Sequence, residues 1–135
     1  MTKPFSFTQH ERLKSKKQID TLFQTGKAYF YFPFIIKYSL ESNAIEHGIR
    51  FGISVPKRHF KKATIRNKLK RQSREAFRLQ KNSLKTTLIK QGMQLSLMFI
   101  YTHNQACSYL EISKAIENCL AKIENELNPN PKTNI

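Results

Sequence analysis

Arg50-Phe51-Gly52-Ile53-Ser54-Val55-Pro56 runs through Lys57-Arg58-His59-Phe60-Lys61-Lys62 into Ala63-Thr64-Ile65-Arg66-Asn67-Lys68-Leu69-Lys70-Arg71-Gln72-Ser73-Arg74-Glu75-Ala76-Phe77-Arg78. Its periodicity changes partway. Phe51, Ile53 and Val55 alternate with Arg50, Gly52 and Ser54, the period of two that marks a half-buried strand. Pro56 ends that strand because it has no amide proton to donate. From about Ala63 to Lys81 the spacing is helical. At 100° per residue Ile65, Leu69, Gln72, Ala76 and Leu79 share one face, which predicts that this face meets a sheet.

The opposite arc is cationic. Arg66, Lys70, Arg74 and Arg78 follow one another at four-residue steps, with Asn67 and Arg71 beside them. Glu75 is the one acid between Lys57 and Lys85, against twelve basic residues, so ion pairing along the helix cannot neutralise this surface. An ordinary solvated helix face carries mixed signs. Arginine guanidinium groups grip phosphate with a fork and stack on bases, and an asparagine amide can bond ribose, phosphate or a base edge. The arc therefore predicts phosphate binding.

Working outward, residues 29–40 are aromatic and β-branched and read as strand, interrupted at Pro33 by a bulge or split into two edge segments. Residues 41–48 form a polar turn. Upstream, Ile19, Leu22 and Phe23 have helical spacing, with Ser15 as N-cap and Gly26 as stop. Downstream, residues 82–92 read as a polar segment and 94–102 as a buried third strand region. Ser108 and Glu111 form a capping box opening a helix that buries Leu110, Ile112 or Ser113, Ile116, Leu120 and Ile123. The order predicts one α+β domain: a single sheet of about four strands, three helices on one face, and a βαβ crossover between parallel strands. Residues 1–10 are expected to be a flexible arm, 11–127 the domain and 128–135 a frayed tail.

The chain has 135 residues, 24 Lys+Arg against 9 Asp+Glu, and a formal net charge of +15. Residues 1–90 hold 21 basic and 5 acidic side chains, a balance of +16; residues 91–135 hold 3 and 4, a balance of −1. Such one-sided charge is costly in self-repulsion and favours a polyanionic partner, whose released counterions supply affinity. A helix-turn-helix module would need a helix and tight turn before the basic helix, where a strand stands instead, so RNA is favoured over duplex DNA. No apolar run approaches bilayer-spanning length, and the first six residues lack the apolar block of a signal peptide. Two cysteines, Cys107 and Cys119, are too few for a disulfide framework or zinc site. They fit a reducing compartment, and the expectation is a cytoplasmic protein with no membrane partner and no small-molecule substrate.

A self-sufficient nuclease needs paired carboxylates for metals or a histidine acid–base pair. Glu11, Asp20, Glu41, Glu46 and Glu75 are scattered, and His10, His47, His59 and His103 are isolated. No catalytic residue and no metal ligand is predicted.

The run from Arg50 to Arg58, followed by 63–78 with its Arg66-Asn67 and Lys70-Arg71 pairs and Arg74-Glu75, resembles the signature of the bacterial ribonuclease P protein subunit. Arg12-Leu13-Lys14, the Leu22-Phe23 pair, Gly26 and the late strand and helix extend the resemblance over residues 11–127. It implies the protein cofactor of a ribozyme that removes the 5′ leader from precursor tRNA, with catalysis and magnesium belonging to the RNA subunit. It also implies an α–β sandwich of ribosomal-protein-like fold with a left-handed crossover, although right-handed crossovers are the general rule.

On this resemblance, Arg66, Asn67, Lys70, Arg71 and Arg74 contact the catalytic RNA. Lys68 and Arg78 on the same helix are read as RNA-binding with them, and the charge of Lys57, Arg58, Lys61 and Lys62 suits either the catalytic RNA or the substrate. Arg12, Ile19, Phe23 and Lys37 line a cleft between first helix and sheet that holds the leader. Lys68 stands where the family often has an arginine-class residue, and Gln72-Ser73 replaces an apolar pair. Ile19 and Lys37 fall where aromatics are frequent, leaving Phe23 as the stacking residue and shifting the grip toward charge. A ribosomal or general structural RNA-binding protein is the alternative, and a nuclease acting without RNA a third.

Overall fold

The computed structural model describes residues 11–13, 16–42 and 47–127. The expected arm at 1–10, the Ser15 cap, the centre of the turn at 43–46 and the tail at 128–135 lie outside them. In chain order the elements are α1 (Lys16–Thr25), β1 (Lys27–Tyr31), β2 (Phe34–Ser42), β3 (Gly48–Ser54), α2 (Ala63–Gln80), α3 (Asn82–Lys90), β4 (Met93–Tyr101) and α4 (Tyr109–Leu127). The four strands form one sheet in the order β1-β2-β4-β3. β3 and β4 are parallel neighbours joined through α2 and α3, and β2 runs antiparallel to both β1 and β4.

Alternation along the strands divides the sheet into two unlike faces. Phe34, Ile36, Tyr38, Ile49, Phe51, Leu95, Leu97, Phe99 and Tyr101 point to one side, where α2, α3 and α4 complete the main core with Leu69, Phe77, Leu84, Leu88, Ile116 and Ile123. Met98 points to the other side and packs with Leu13 and Leu22 against α1. Helices thus cover both faces, not one: α1 is a thin separate layer because only Leu22 is fully buried from it.

Pro33 does not interrupt one strand but turns a hairpin, with Tyr31 opposite Phe34 and a cis Phe32-Pro33 bond. Of the two segments only β1 is an edge; β2 is interior and apolar on its core face, as an interior position demands. The stretch at 82–92 is a fourth helix, α3, rather than a polar segment. Its two buried leucines, Leu84 and Leu88, stand one turn apart and are the whole of its apolar stripe. Gly92, at φ 66°, ends it by donating to the Ile89 carbonyl, a left-handed position that suits glycine.

On α2 the buried residues are Leu69, Ser73, Ala76 and Phe77, whereas Leu79 is exposed and Gln72 half-buried. The observed stripe is rotated by about 60° from the expected one, at 3.6 residues per turn. Phe77 decides the rotation. Its ring stacks on Phe51 of β3 at 4.3 Å and 10°, a larger apolar contact than Leu79 could make. Ser73 fits the tight interface because its hydroxyl donates to the Leu69 carbonyl at 2.8 Å.

The capping box forms as its spacing predicts: the Glu111 amide donates to Ser108 Oγ, and the Ser108 amide to the Glu111 carboxylate. α4 buries Ile112, Ala115, Ile116, Cys119, Leu120 and Ile123, while Leu110 faces outward. Cys107 and Cys119 are free, buried thiols, and burial pushes Cys119 up to about 11.

Candidate nucleic-acid interface

β3 delivers the chain into a basic loop. His59 donates its amide to the Pro56 carbonyl, closing a turn that leaves Lys57 and Arg58 exposed. Lys61 and Lys62 follow, also exposed, and α2 begins with no side-chain cap at Lys62. Arg66 compensates. Its guanidinium donates to the carbonyls of Phe60, at 2.7 Å, and Lys61, at 2.8 Å. Arg66 is therefore committed to shaping the loop that carries Lys57, Arg58, Lys61 and Lys62, a part that spacing alone did not reveal.

The rotation of α2 re-sorts the cationic arc. Asn67, Lys68, Arg71 and Arg74 are exposed, while Arg66 and Lys70 move to its half-buried flank. Arg78 is ion-paired with Glu75, one turn back, which holds that carboxyl below its usual range. The neutralised end of the arc is thus its C-terminal end, and the exposed side-chain donors gather nearer the loop, between Asn67 and Arg74.

At the β3 edge of the sheet a cleft of about 320 Å³ is lined by Arg12, Leu13, Ile19, Phe51, Gly52, Ile53, Arg74 and Met98. Leu13 reaches it by donating its amide to the Phe51 carbonyl, so residues 12–13 lie along β3. Gly52 forms the floor. A methyl there would meet Met98 Cε at 2.9 Å and Leu13 Cβ at 3.4 Å, so glycine keeps the cleft open and the Leu13 backbone close. Arg74 projects into the cleft from α2, where partial desolvation and then the like charge of Arg12 pull its pKa down. Two guanidinium groups facing one groove make its wall strongly positive.

The four residues expected in the leader cleft divide into two pairs. Arg12 and Ile19 line the cleft itself. Phe23 sits further along α1, where the ammonium of Lys37 on β2 lies 4.5 Å from the centre of its exposed ring. Arg74, placed by periodicity on the ridge alone, belongs to both surfaces and joins them. Gly52, Ile53, Leu13 and Met98 were not singled out as cleft residues; the strand alternation at 50–55 contained the signal for Gly52.

Behind the cleft, Glu11 is a buried carboxylate held by Lys81 Nζ at 2.5 Å and Lys85 Nζ at 2.8 Å. It fastens the segment entering the cleft to the α2–α3 junction. Among the described residues no three His, Cys, Asp or Glu side chains are grouped so as to hold a metal ion, and no helix is long and apolar enough to cross a membrane.

The sequence model of the family described as Ribonuclease P matches residues 7–124. The ribonuclease P protein component of Porphyromonas gingivalis is 31% identical over 128 residues, covering 91% of each chain. That of Thermotoga petrophila is 42% identical over 76 residues, 56% of this chain and 62% of the relative. Among solved structures, a Staphylococcus aureus RNase P protein mutant superposes with TM-score 0.66 at 24% identity, over 85% of this chain and 89% of that one. The Thermotoga maritima RNase P protein gives 0.62 at 24% identity, over 83% and 96%. These neighbours share the α+β fold, and the extent of the sequence match makes the chain a member of the ribonuclease P protein family.

Proposed function

We propose that this chain is the protein subunit of a ribonuclease P holoenzyme that removes the 5′ leader of precursor tRNA. The basic loop and the first three turns of α2 dock the RNA subunit, and the cleft under α1 takes the single-stranded leader. Bond cleavage falls to the RNA subunit with its bound magnesium; the protein supplies affinity and position. The partners are then ribonuclease P RNA and precursor tRNA, met in the cytoplasm.

The observation that carries this reading is Arg74, which stands on the cationic face of α2 and lines the cleft opposite Arg12. One side chain thereby links a surface for structured RNA to a groove for a single strand. Gly52, Ile19 and Met98 keep that groove apolar between charged walls, the arrangement in which bases stack while phosphates are held at the rim.

Phe23 offers the leader a ring face, already paired on one side with Lys37. Base–aromatic stacking contributes about 1–3 kcal/mol per base. Phe23→Ala should therefore weaken holoenzyme binding of long-leader precursor tRNA by roughly five- to a hundredfold, with a smaller effect on substrates lacking a leader. Equilibrium binding of the two substrates to wild type and variant is the check. Equal affinity for both substrates in both proteins would rule out leader contact at this site.

A further inference from the structure

The face of the sheet that carries the cleft is only partly covered. Registers place Ala28, Lys37, Met98 and Gly52 in one row across β1, β2, β4 and β3, and Phe30, Ile35, Ile100 and Ser54 in the next row along. α1 packs over the first row through Leu22 and Phe23. The second row is open at its outer end, where Phe30 is 60% exposed and Ile35 37%. Its inner end is continuous with the cleft, because Ile100 packs against the same small cluster as Ile19 and Met98.

Phe30 and Lys37 are diagonal neighbours across the β1–β2 pair, about 7–8 Å apart along the backbone. Phe23, Lys37 and Phe30 thus make an aromatic–cation–aromatic series leading away from the cleft. No carboxylate stands in either row. An exposed phenylalanine and isoleucine on an open edge hairpin invite unwanted pairing unless a partner covers them. A second copy of a chain carrying +15 would bring like charge to the patch. A single RNA strand brings bases to the rings and phosphates to Lys37.

We propose that Phe30 and Ile35 form a second stacking station for single-stranded RNA, taking leader nucleotides farther from the cleavage site than those held in the cleft. The proposal rests on the leader-in-cleft reading. Polarity follows from Arg74: the cleft adjoins the helix that docks the RNA subunit, so nucleotides nearest the cut lie there. Those upstream pass Phe23 and Lys37 before reaching Phe30.

The test uses reconstituted holoenzyme and precursor tRNAs whose leaders either end within the cleft or extend past it, the long ones carrying abasic nucleotides placed one position at a time. Phe30→Ala should weaken binding of the long-leader substrate about fivefold or more, with the loss confined to leaders that reach beyond Phe23. An abasic nucleotide at an upstream position should cost wild type the same factor and cost the variant nothing further. Phe30→Tyr should restore affinity, since it keeps the ring. Unchanged long-leader binding by Phe30→Ala, while Phe23→Ala still binds weakly, would overturn the second station and leave the cleft reading intact. No leader-length dependence in wild type or either alanine variant would instead overturn the cleft reading. If Phe30→Ala altered only self-association in sedimentation, the patch would be a protein–protein surface and the proposal wrong.

Discussion

Replacing Glu11 by glutamine is expected to lower the free energy of unfolding by about 3–5 kcal/mol, the usual effect of removing one partner of a buried ion pair. Glu11 is 3% exposed and Lys81 fully buried. The carboxylate divides its two oxygens between Lys81 and Lys85, so without its charge the buried Lys81 ammonium loses its counter-charge beside the half-exposed Lys85. Burial already pulls the Lys81 pKa down, with the glutamate opposing that shift. The consequence extends to the cleft, because Glu11 immediately precedes Arg12 and Leu13, which lie along β3. Urea unfolding followed by far-ultraviolet circular dichroism measures the effect. The double replacement Glu11→Met with Lys81→Met should recover most of the loss, since an apolar pair of similar volume removes the stranded charge. A single variant with the wild-type midpoint would show that the triad contributes nothing to stability.

The second large effect concerns RNA affinity. Lys68, Arg71 and Arg74 are exposed on α2 beside the basic loop. Changing all three to glutamine removes up to three phosphate contacts while leaving the buried stripe of Leu69, Ser73, Ala76 and Phe77 untouched. Each lost contact should flatten the plot of log affinity against log salt by about 0.7–0.9, so the slope falls by roughly two units. Affinity for ribonuclease P RNA at moderate salt should drop at least about tenfold, on the scale of a few charge-assisted hydrogen bonds. Arg66→Gln should behave differently, losing thermal stability together with affinity, because its guanidinium holds the loop carbonyls. A triple variant with an unchanged salt slope would place the RNA on another face.

Much of this arrangement was legible in the residues. Alternation at 50–55 located β3, and the Ser108–Glu111 spacing located the start of α4, because both depend on contacts within a few residues. α3 escaped because two leucines among lysines and threonines carry almost no periodic signal; its helix is stabilised by packing under β3 and β4. The rotation of α2 escaped for a related reason. A helical wheel weighs Leu79 and Phe77 alike, and only the position of Phe51 across the interface decides between them. The Glu11 triad joins residues 70 and 74 positions apart in the chain, beyond the reach of any local pattern. The cationic arc itself was visible as composition. That Arg66 is spent on the loop, and that Arg74 turns into the cleft, required the fold.

The most direct measurement is 5′ cleavage of precursor tRNA at low magnesium by ribonuclease P RNA, with and without the purified chain, alongside the chain alone. An RNA subunit that docks on α2 and a leader that lies in the cleft should give a cleavage rate that rises with added protein, is lost in the Lys68, Arg71 and Arg74 triple variant, and is absent when the RNA subunit is withheld. A rate indifferent to the protein, or hydrolysis by the polypeptide unaided, would contradict the division of labour between cationic helix and catalytic RNA.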